Sequence, residues 1–132
     1  MQGRAMKRSI VTLAFALACG TAAADGVRCH IIYGGEEWTV DATPTAAPYR
    51  AEGRKIGRYF EFKLAYVDQP ATGKSIRVYT YGMSTGEPVL IHQALYRPPL
   101  DARDGDYGFS GFQYVYEPSK SSELQYWCQY LP

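Results

Sequence analysis

The 132-residue sequence is poor in the residue types that build metal centres. It contains three cysteines and two histidines, whereas a structural zinc site alone takes four ligands, drawn mostly from these two types. Its charges nearly balance, with 14 lysines and arginines against 13 aspartates and glutamates. The excess of positive charge that nucleic-acid binding requires is therefore missing. We predict a single domain with no cofactor, no metal and no nucleic-acid partner.

Long hydrophobic runs are also missing, and the one apolar stretch is short. The run at residues 9–18 follows a lysine and an arginine and would span about 15 Å as a helix, roughly half of a bilayer's hydrocarbon core. The small residues Ala22–Ala24 come next. This order is typical of a secretory signal peptide that is cleaved before Asp25. We predict no transmembrane segment, a cleaved leader over residues 1–24 and one domain over residues 25–132.

Cys19 offers a second processing route, because a lipoprotein signal ends in a cysteine that becomes acylated. The residues before Cys19 lack the leucine that such signals prefer three positions upstream. We therefore favour simple cleavage and a periplasmic or secreted protein, with a lipid anchor at Cys19 as the minor alternative. After cleavage the chain carries 11 basic and 13 acidic side chains, a balance that does not favour attraction to anionic membranes.

Cys29 and Cys128 lie near the two ends of the predicted mature chain. An even number of cysteines in an exported protein indicates a disulfide. Both processing routes remove or acylate Cys19, so this pairing does not depend on the route. Closing a loop of about 100 residues stabilises a folded chain by up to about 4.7 kcal/mol in the chain-entropy model. We predict a disulfide between these two cysteines.

Short alternating segments separated by turn-forming residues dominate the rest of the chain. The clearest is residues 59–67, where apolar side chains alternate with Glu61 and Lys63. Further strands are predicted at residues 27–32, 38–40, 76–81, 89–96, 112–117 and 123–130. Asp41–Gly57 is rich in alanine, proline and glycine and is predicted as a loop with at most one helical turn. We predict an all-β fold, a small antiparallel sandwich or barrel of about seven strands, closed by the disulfide.

Strand alternation around the disulfide predicts one candidate binding surface. If both cysteines point inward, then Arg28, His30, Trp127 and Gln129 all point outward. A tryptophan beside charged and amide side chains is typical of surfaces that stack on and hydrogen-bond a sugar or a peptide. Trp127 can also lie beneath the loop at residues 41–57 as part of a satellite core. The sequence leaves both interpretations open.

A second candidate surface lies on the outward face of the hairpin at residues 59–81. We predict that Tyr59, Tyr79 and Tyr81 lie there, and tyrosine supplies the stiff, amphipathic contact area that protein and glycan binding use. Cross-strand tyrosine pairs also stabilise sheets without any ligand. The charged residues predicted on the same face are Glu61, Lys63 and Arg77.

The segment Asp101–Gly108 places three aspartates in one glycine-containing loop. Closely spaced carboxylates can hold calcium, but the order does not match an EF-hand loop. The preference of aspartate and glycine for turns explains the segment without a metal ion.

The inventory for catalysis is thin, since His30 and His92 are the two imidazoles and the serines lack the pattern of a nucleophile elbow. We predict an exported, non-catalytic binding protein whose partner is a protein or a glycan in the bacterial envelope or medium. The alternative is a small hydrolase of cell-wall polymer, in which a carboxylate works with His30 or His92. A cleft that holds a histidine and a carboxylate within hydrogen-bond distance would favour the enzyme.

Overall fold

The computed structural model describes residues 25–99 and 105–131, together with the isolated positions 3 and 14. The predicted leader, Cys19, Asp101 and Asp104 lie outside the described residues. No helix in the described part of the chain is long and apolar enough to cross a membrane.

In the described ranges the chain forms two β-sheets from nine strands. The strands are β1 Gly26–Tyr33, β2 Glu36–Ala42, β3 Pro44–Thr45, β4 Arg54–Ile56, β5 Phe60–Gln69, β6 Gly73–Gly82, β7 Val89–Tyr96, β8 Gln113–Glu117 and β9 Ser122–Leu131. The first sheet has the order β2-β1-β9-β8, and the second has the order β3-β5-β6-β7 with β4 also paired to β5. The β3–β5 pair is parallel and the other named pairs are antiparallel. The predicted all-β fold is confirmed as a two-sheet sandwich.

The hydrophobic core lies between the sheets because one face of each central strand is apolar. On β5 the alternating side chains of Phe60, Phe62 and Leu64 are buried, while β1 contributes Val27 and Ile31. The Phe62 and Tyr126 rings meet edge to face across this interior, 5.4 Å apart. Edge-to-face contacts of this kind stabilise the core beyond the burial of apolar area.

The predicted disulfide between Cys29 and Cys128 is present. The two residues are partners in the β1–β9 register, with Cα atoms 4.0 Å apart, and both side chains are fully buried. The bridge joins the first and last strands, and these are the two central strands of the first sheet rather than its edges. It therefore fixes the register at the middle of the sheet.

The prediction of a loop at Asp41–Gly57 is wrong for much of that segment. The strand β2 extends to Ala42, and both Pro44–Thr45 and Arg54–Ile56 pair with β5. The predicted helical turn is present as a 3-10 helix at Pro48–Arg50. Elements of two or three residues are too short to show an alternating pattern, so only their pairing with the longer β5 identifies them as strands.

Removing the disulfide tests how much it stabilises the fold. The bridge spans 99 residues, so the Cys29→Ala/Cys128→Ala variant should lose up to about 4.7 kcal/mol of unfolding free energy. Urea denaturation of the variant and the oxidised protein measures this loss, with the reduced protein as a second comparison. Equal denaturation midpoints in all three samples would contradict the prediction.

Candidate functional site

The outer face of the first sheet brings together the four residues predicted around Trp127. Arg28 is the register partner of Gln129, and His30 is the partner of Trp127. All four side chains lie opposite to the buried cysteines and are partly exposed. The alternation argument therefore places these side chains correctly, and their surroundings determine what they can bind.

The Trp127 ring is half-buried between two neighbours. The His30 imidazole stacks on it with ring centroids 4.0 Å apart and planes only 9° from parallel. The Nδ1 atom of His30 also lies 3.0 Å from the Glu37 carboxylate. The Tyr107 ring also contacts Trp127 edge to face, with ring centroids 6.1 Å apart. The segment at residues 105–112, rather than the segment at residues 41–57, thus supplies this neighbour of Trp127.

Further aromatic rings continue from Trp127 along the edge of the first sheet. The Tyr107 ring lies 4.8 Å from Phe112, and Phe112 lies 5.2 Å from Tyr114. The exposed fractions are 47% for Tyr107, 63% for Tyr114 and 54% for Tyr116. We call this surface the aromatic face, and it consists of His30, Tyr107, Phe112, Tyr114, Tyr116 and Trp127.

The contact between Tyr107 and Trp127 depends on how the chain crosses β9. Gly108 bridges to Cys128, and the Phe109 N–H donates to the Cys128 carbonyl at 3.0 Å. The Cys128 N–H in turn donates to the Ser110 hydroxyl at 2.7 Å. The N–H and the carbonyl of Cys128 thus both have hydrogen-bond partners, although the pairing of β8 with β9 ends before Cys128. The 105–112 segment is held against the sheet, and Tyr107 is held against Trp127.

Sequence reasoning missed Tyr107, Tyr114 and Tyr116 as members of the site. Tyr114 and Tyr116 flank the buried Val115, so the alternation in the predicted strand at residues 112–117 contained their signal. Alternation alone did not indicate that β8 pairs with β9, and this pairing is what brings the two tyrosines onto the same sheet face as Trp127. Tyr107 lies in a segment without periodicity, and only the backbone contacts at Cys128 place it on this face.

Arg28 is not a free cation on this surface. Its guanidinium donates two hydrogen bonds to the Asp41 carboxylate, at 2.7 and 2.8 Å. These hydrogen bonds lower the pKa of Asp41 and raise the pKa of Arg28. The pair is a planar two-bond contact, and it directs the arginine toward β2 rather than toward a ligand.

The three tyrosines of the second predicted surface are separated. Tyr79 and Tyr81 lie on the outer face of the second sheet, with Lys63 Nζ 5.7 Å from the centre of the Tyr81 ring. Burial raises the pKa of Tyr81. Tyr59 instead packs against the core, and Lys120 Nζ lies 5.5 Å from the centre of its ring. The structure thus leaves Tyr79 and Tyr81 as a pair.

The two histidines have different surroundings in the part of the chain that the structure describes. His92 Nε2 and the hydroxyl of the buried Tyr126 are 2.6 Å apart, and burial lowers the pKa of His92. His30 has a carboxylate partner in Glu37, but its Nε2 atom is buried and lacks a hydrogen-bond partner among the described residues. A cavity of about 360 Å³ lies between β2 and β5, and neither histidine lines it.

Metal ligands are likewise not gathered in the part of the chain that the structure describes. Within residues 25–99 and 105–131, no three histidine, cysteine, aspartate or glutamate side chains lie close enough to hold an ion.

Comparison of the chain with protein-family models, curated proteins and solved structures finds no match. The chemistry of the aromatic face is therefore the basis for inferring a function.

Substituting Gly108 tests whether the crossing at Cys128 positions Tyr107. Gly108 has φ +58°, and a Cβ atom there would collide with the Cys128 carbonyl oxygen. Gly34 has φ +61° and open space around it, so Gly34→Ala carries the backbone strain without the collision. Gly108→Ala should lower the free energy of unfolding by at least about 1 kcal/mol more than Gly34→Ala does. It should also change the near-ultraviolet circular dichroism of the tryptophans. Equal costs in urea denaturation would contradict this assignment.

His92 should make the protein less stable in mild acid. Burial lowers the pKa of His92 from the ordinary 6.5. The His92 imidazole therefore binds a proton more tightly in the unfolded chain than in the folded chain. The contribution of neutral His92 to the free energy of unfolding is therefore fully present above about pH 6.5. This contribution is lost as the pH falls below that value toward the lower pKa of the folded state. Urea denaturation at about pH 7.5 and pH 5 should show this loss, and His92→Gln should reduce it. An identical pH dependence in both proteins would contradict the assignment.

Proposed function

We propose that this chain is an exported, non-catalytic binding domain that recognises a protein or glycan partner through the aromatic face. The observation that carries the proposal is the continuity of the rings together with their exposure. Three neighbouring tyrosines, Tyr107, Tyr114 and Tyr116, are each about half exposed or more. Contiguous exposed apolar surface of this kind marks interaction sites, and tyrosine and tryptophan dominate the energetics of interfaces.

The support beneath the aromatic face also favours recognition. Trp127 immediately precedes the disulfide-bonded Cys128, and Tyr114 alternates with the buried Val115. The rings of Trp127 and Tyr114 therefore project from strands whose opposite faces belong to the core. A surface held in this way loses little conformational freedom when a partner binds.

Export is supported by two independent features. The disulfide between Cys29 and Cys128 is typical of proteins that fold in an oxidising compartment. The order of charged, apolar and small residues over residues 1–24 is typical of a secretory leader. We therefore place the binding domain in the periplasm or the medium.

The hydrolase alternative has less support than the binding domain. His30 and Glu37 are within hydrogen-bond distance at 3.0 Å, as a general base and its partner would be. They lie on an open sheet face, however, and the remaining nitrogen of His30 is buried against the sheet. The Nε2 atom of His30 is therefore not accessible to a substrate.

A paired set of tyrosine variants tests the proposed surface. Tyr114→Ser/Tyr116→Ser removes two exposed rings of the aromatic face, and Tyr79→Ser/Tyr81→Ser removes the exterior pair of the second sheet. The immobilised mature domain should retain a specific partner from an envelope or culture extract of its source. The first variant should weaken that retention about tenfold or more, while the second should leave it unchanged.

Stability measurements keep this experiment interpretable. Tyr114 and Tyr116 are more than half exposed, so we expect the first variant to keep a denaturation midpoint close to that of the unmodified domain. Tyr79 and Tyr81 are only partly exposed, so the second variant should lower the midpoint more and still retain the partner. A partner that both variants retain equally well, or that only the second variant loses, would overturn the assignment of the aromatic face.

A further inference from the structure

The two sheets carry opposite net charges. Residues 43–99, which include the second sheet, hold eight cationic and four anionic side chains, a formal charge of +4. Residues 26–42 and 105–131, which form the first sheet and its connections, hold two cations and six carboxylates, a formal charge of −4. The six carboxylates are those of Glu36, Glu37, Asp41, Asp106, Glu117 and Glu123.

Several of these carboxylates border the aromatic face. Glu123 is the register partner of Tyr116, and Asp106 immediately precedes Tyr107. Both Glu123 and Asp106 are exposed. At the opposite end of the face, the exposed Glu37 lies beside His30. The exposed rings are thus interleaved with negative charge.

The two cations of the first sheet are engaged away from the exposed rings. The charge of Arg28 is matched by Asp41 through two hydrogen bonds. The ammonium group of Lys120 lies over Tyr59, which packs against the core. Within residues 25–99 and 105–131, the lysines that lie over aromatic rings lie over Tyr81, Tyr66 and Tyr59. The described cations therefore leave the rings of Tyr107, Tyr114 and Tyr116 to a cation from outside the molecule.

We propose, building on the binding function above, that the partner of the aromatic face is a cationic segment of another protein. Lysine or arginine side chains of the partner would lie on the exposed tyrosine rings, with their charged groups paired to Glu123 and Asp106. Cation–π contact and charge-assisted hydrogen bonding would then act on the same side chains. The opposite charges of the two surfaces would also accelerate and orient their encounter.

The ring geometry favours such a protein segment over a glycan chain. A sugar ring stacks on an aromatic ring only where the face of that ring is open. One face of Trp127 is covered by His30, at a centroid distance of 4.0 Å. Neighbouring rings along the face are inclined at 61° to 71° to one another. Rings inclined in this way do not form one flat platform for a sugar chain, whereas separate lysine or arginine side chains can each lie on one exposed ring.

Binding of defined probes to the oxidised domain tests this inference. The probes are a synthetic peptide of alternating arginine and serine, its counterpart with glutamine in place of arginine, and a soluble cell-wall oligosaccharide. We expect the arginine peptide to bind in fluorescence anisotropy, more weakly as salt is raised from about 50 to 200 mM. Asp106→Asn/Glu123→Gln and Tyr114→Leu/Tyr116→Leu should each weaken it at least tenfold.

A matched control on the other sheet separates specific from diffuse attraction. Glu61→Gln with Tyr79→Leu/Tyr81→Leu removes one carboxylate and two tyrosine rings from the second sheet and should leave binding of the arginine peptide unchanged. Equal weakening by this control, or no weakening by the variants of the aromatic face, would overturn the inference.

The other two probes show whether only the cationic partner is wrong or whether the binding function of the aromatic face is wrong as well. If the oligosaccharide or the glutamine peptide binds more tightly than the arginine peptide, and Tyr114→Leu/Tyr116→Leu abolishes that binding, the cationic partner is wrong. The binding function of the face would then still stand. If no probe and no captured partner depends on these tyrosines, both proposals fail.

Discussion

Cys29 and Cys128 lie opposite each other on the two central strands of the first sheet, and this pair sets the direction of the side chains around it. With both sulfur atoms in the core, strand alternation turns His30 and Trp127 toward the exterior. The backbone of Cys128 then holds the 105–112 segment through its carbonyl and its N–H. The core, the stacked rings and the position of Tyr107 all depend on this one cross-strand pair.

The parts of the fold that the sequence could predict are those in which a local pattern is long enough to be read. The alternation along β5 and the exact span of β7, Val89–Tyr96, needed no tertiary information. The strands β3 and β4 could not be predicted in this way, because two or three residues are too few to show an alternating pattern. They become strands only by pairing with β5. The residues of the aromatic face differ in the same respect. Strand alternation predicted the outward position of Trp127, whereas the position of Tyr107 depends on a contact with a residue distant in sequence.

The tyrosines of this protein fulfil different physical roles according to depth. Tyr126 is fully buried beside Phe62 and hydrogen-bonds His92, and burial raises its pKa. Tyr66 is also buried, and burial together with a hydrogen bond to Asp25 raises its pKa to about 12. Tyr107, Tyr114 and Tyr116 are instead about half exposed or more and lie on the outer surface. Composition alone could not sort these roles, because it counts residues without locating them.

The disulfide also makes most of the domain a closed covalent ring, because it joins residues 99 positions apart. A single protease cut in any connection inside that ring, such as the turn between β6 and β7, would leave both pieces linked. The two pieces would still share the β1–β9 pairing at the centre of the first sheet. A domain of this design can be cut once without being divided, and the aromatic face stays attached to the strands that support it.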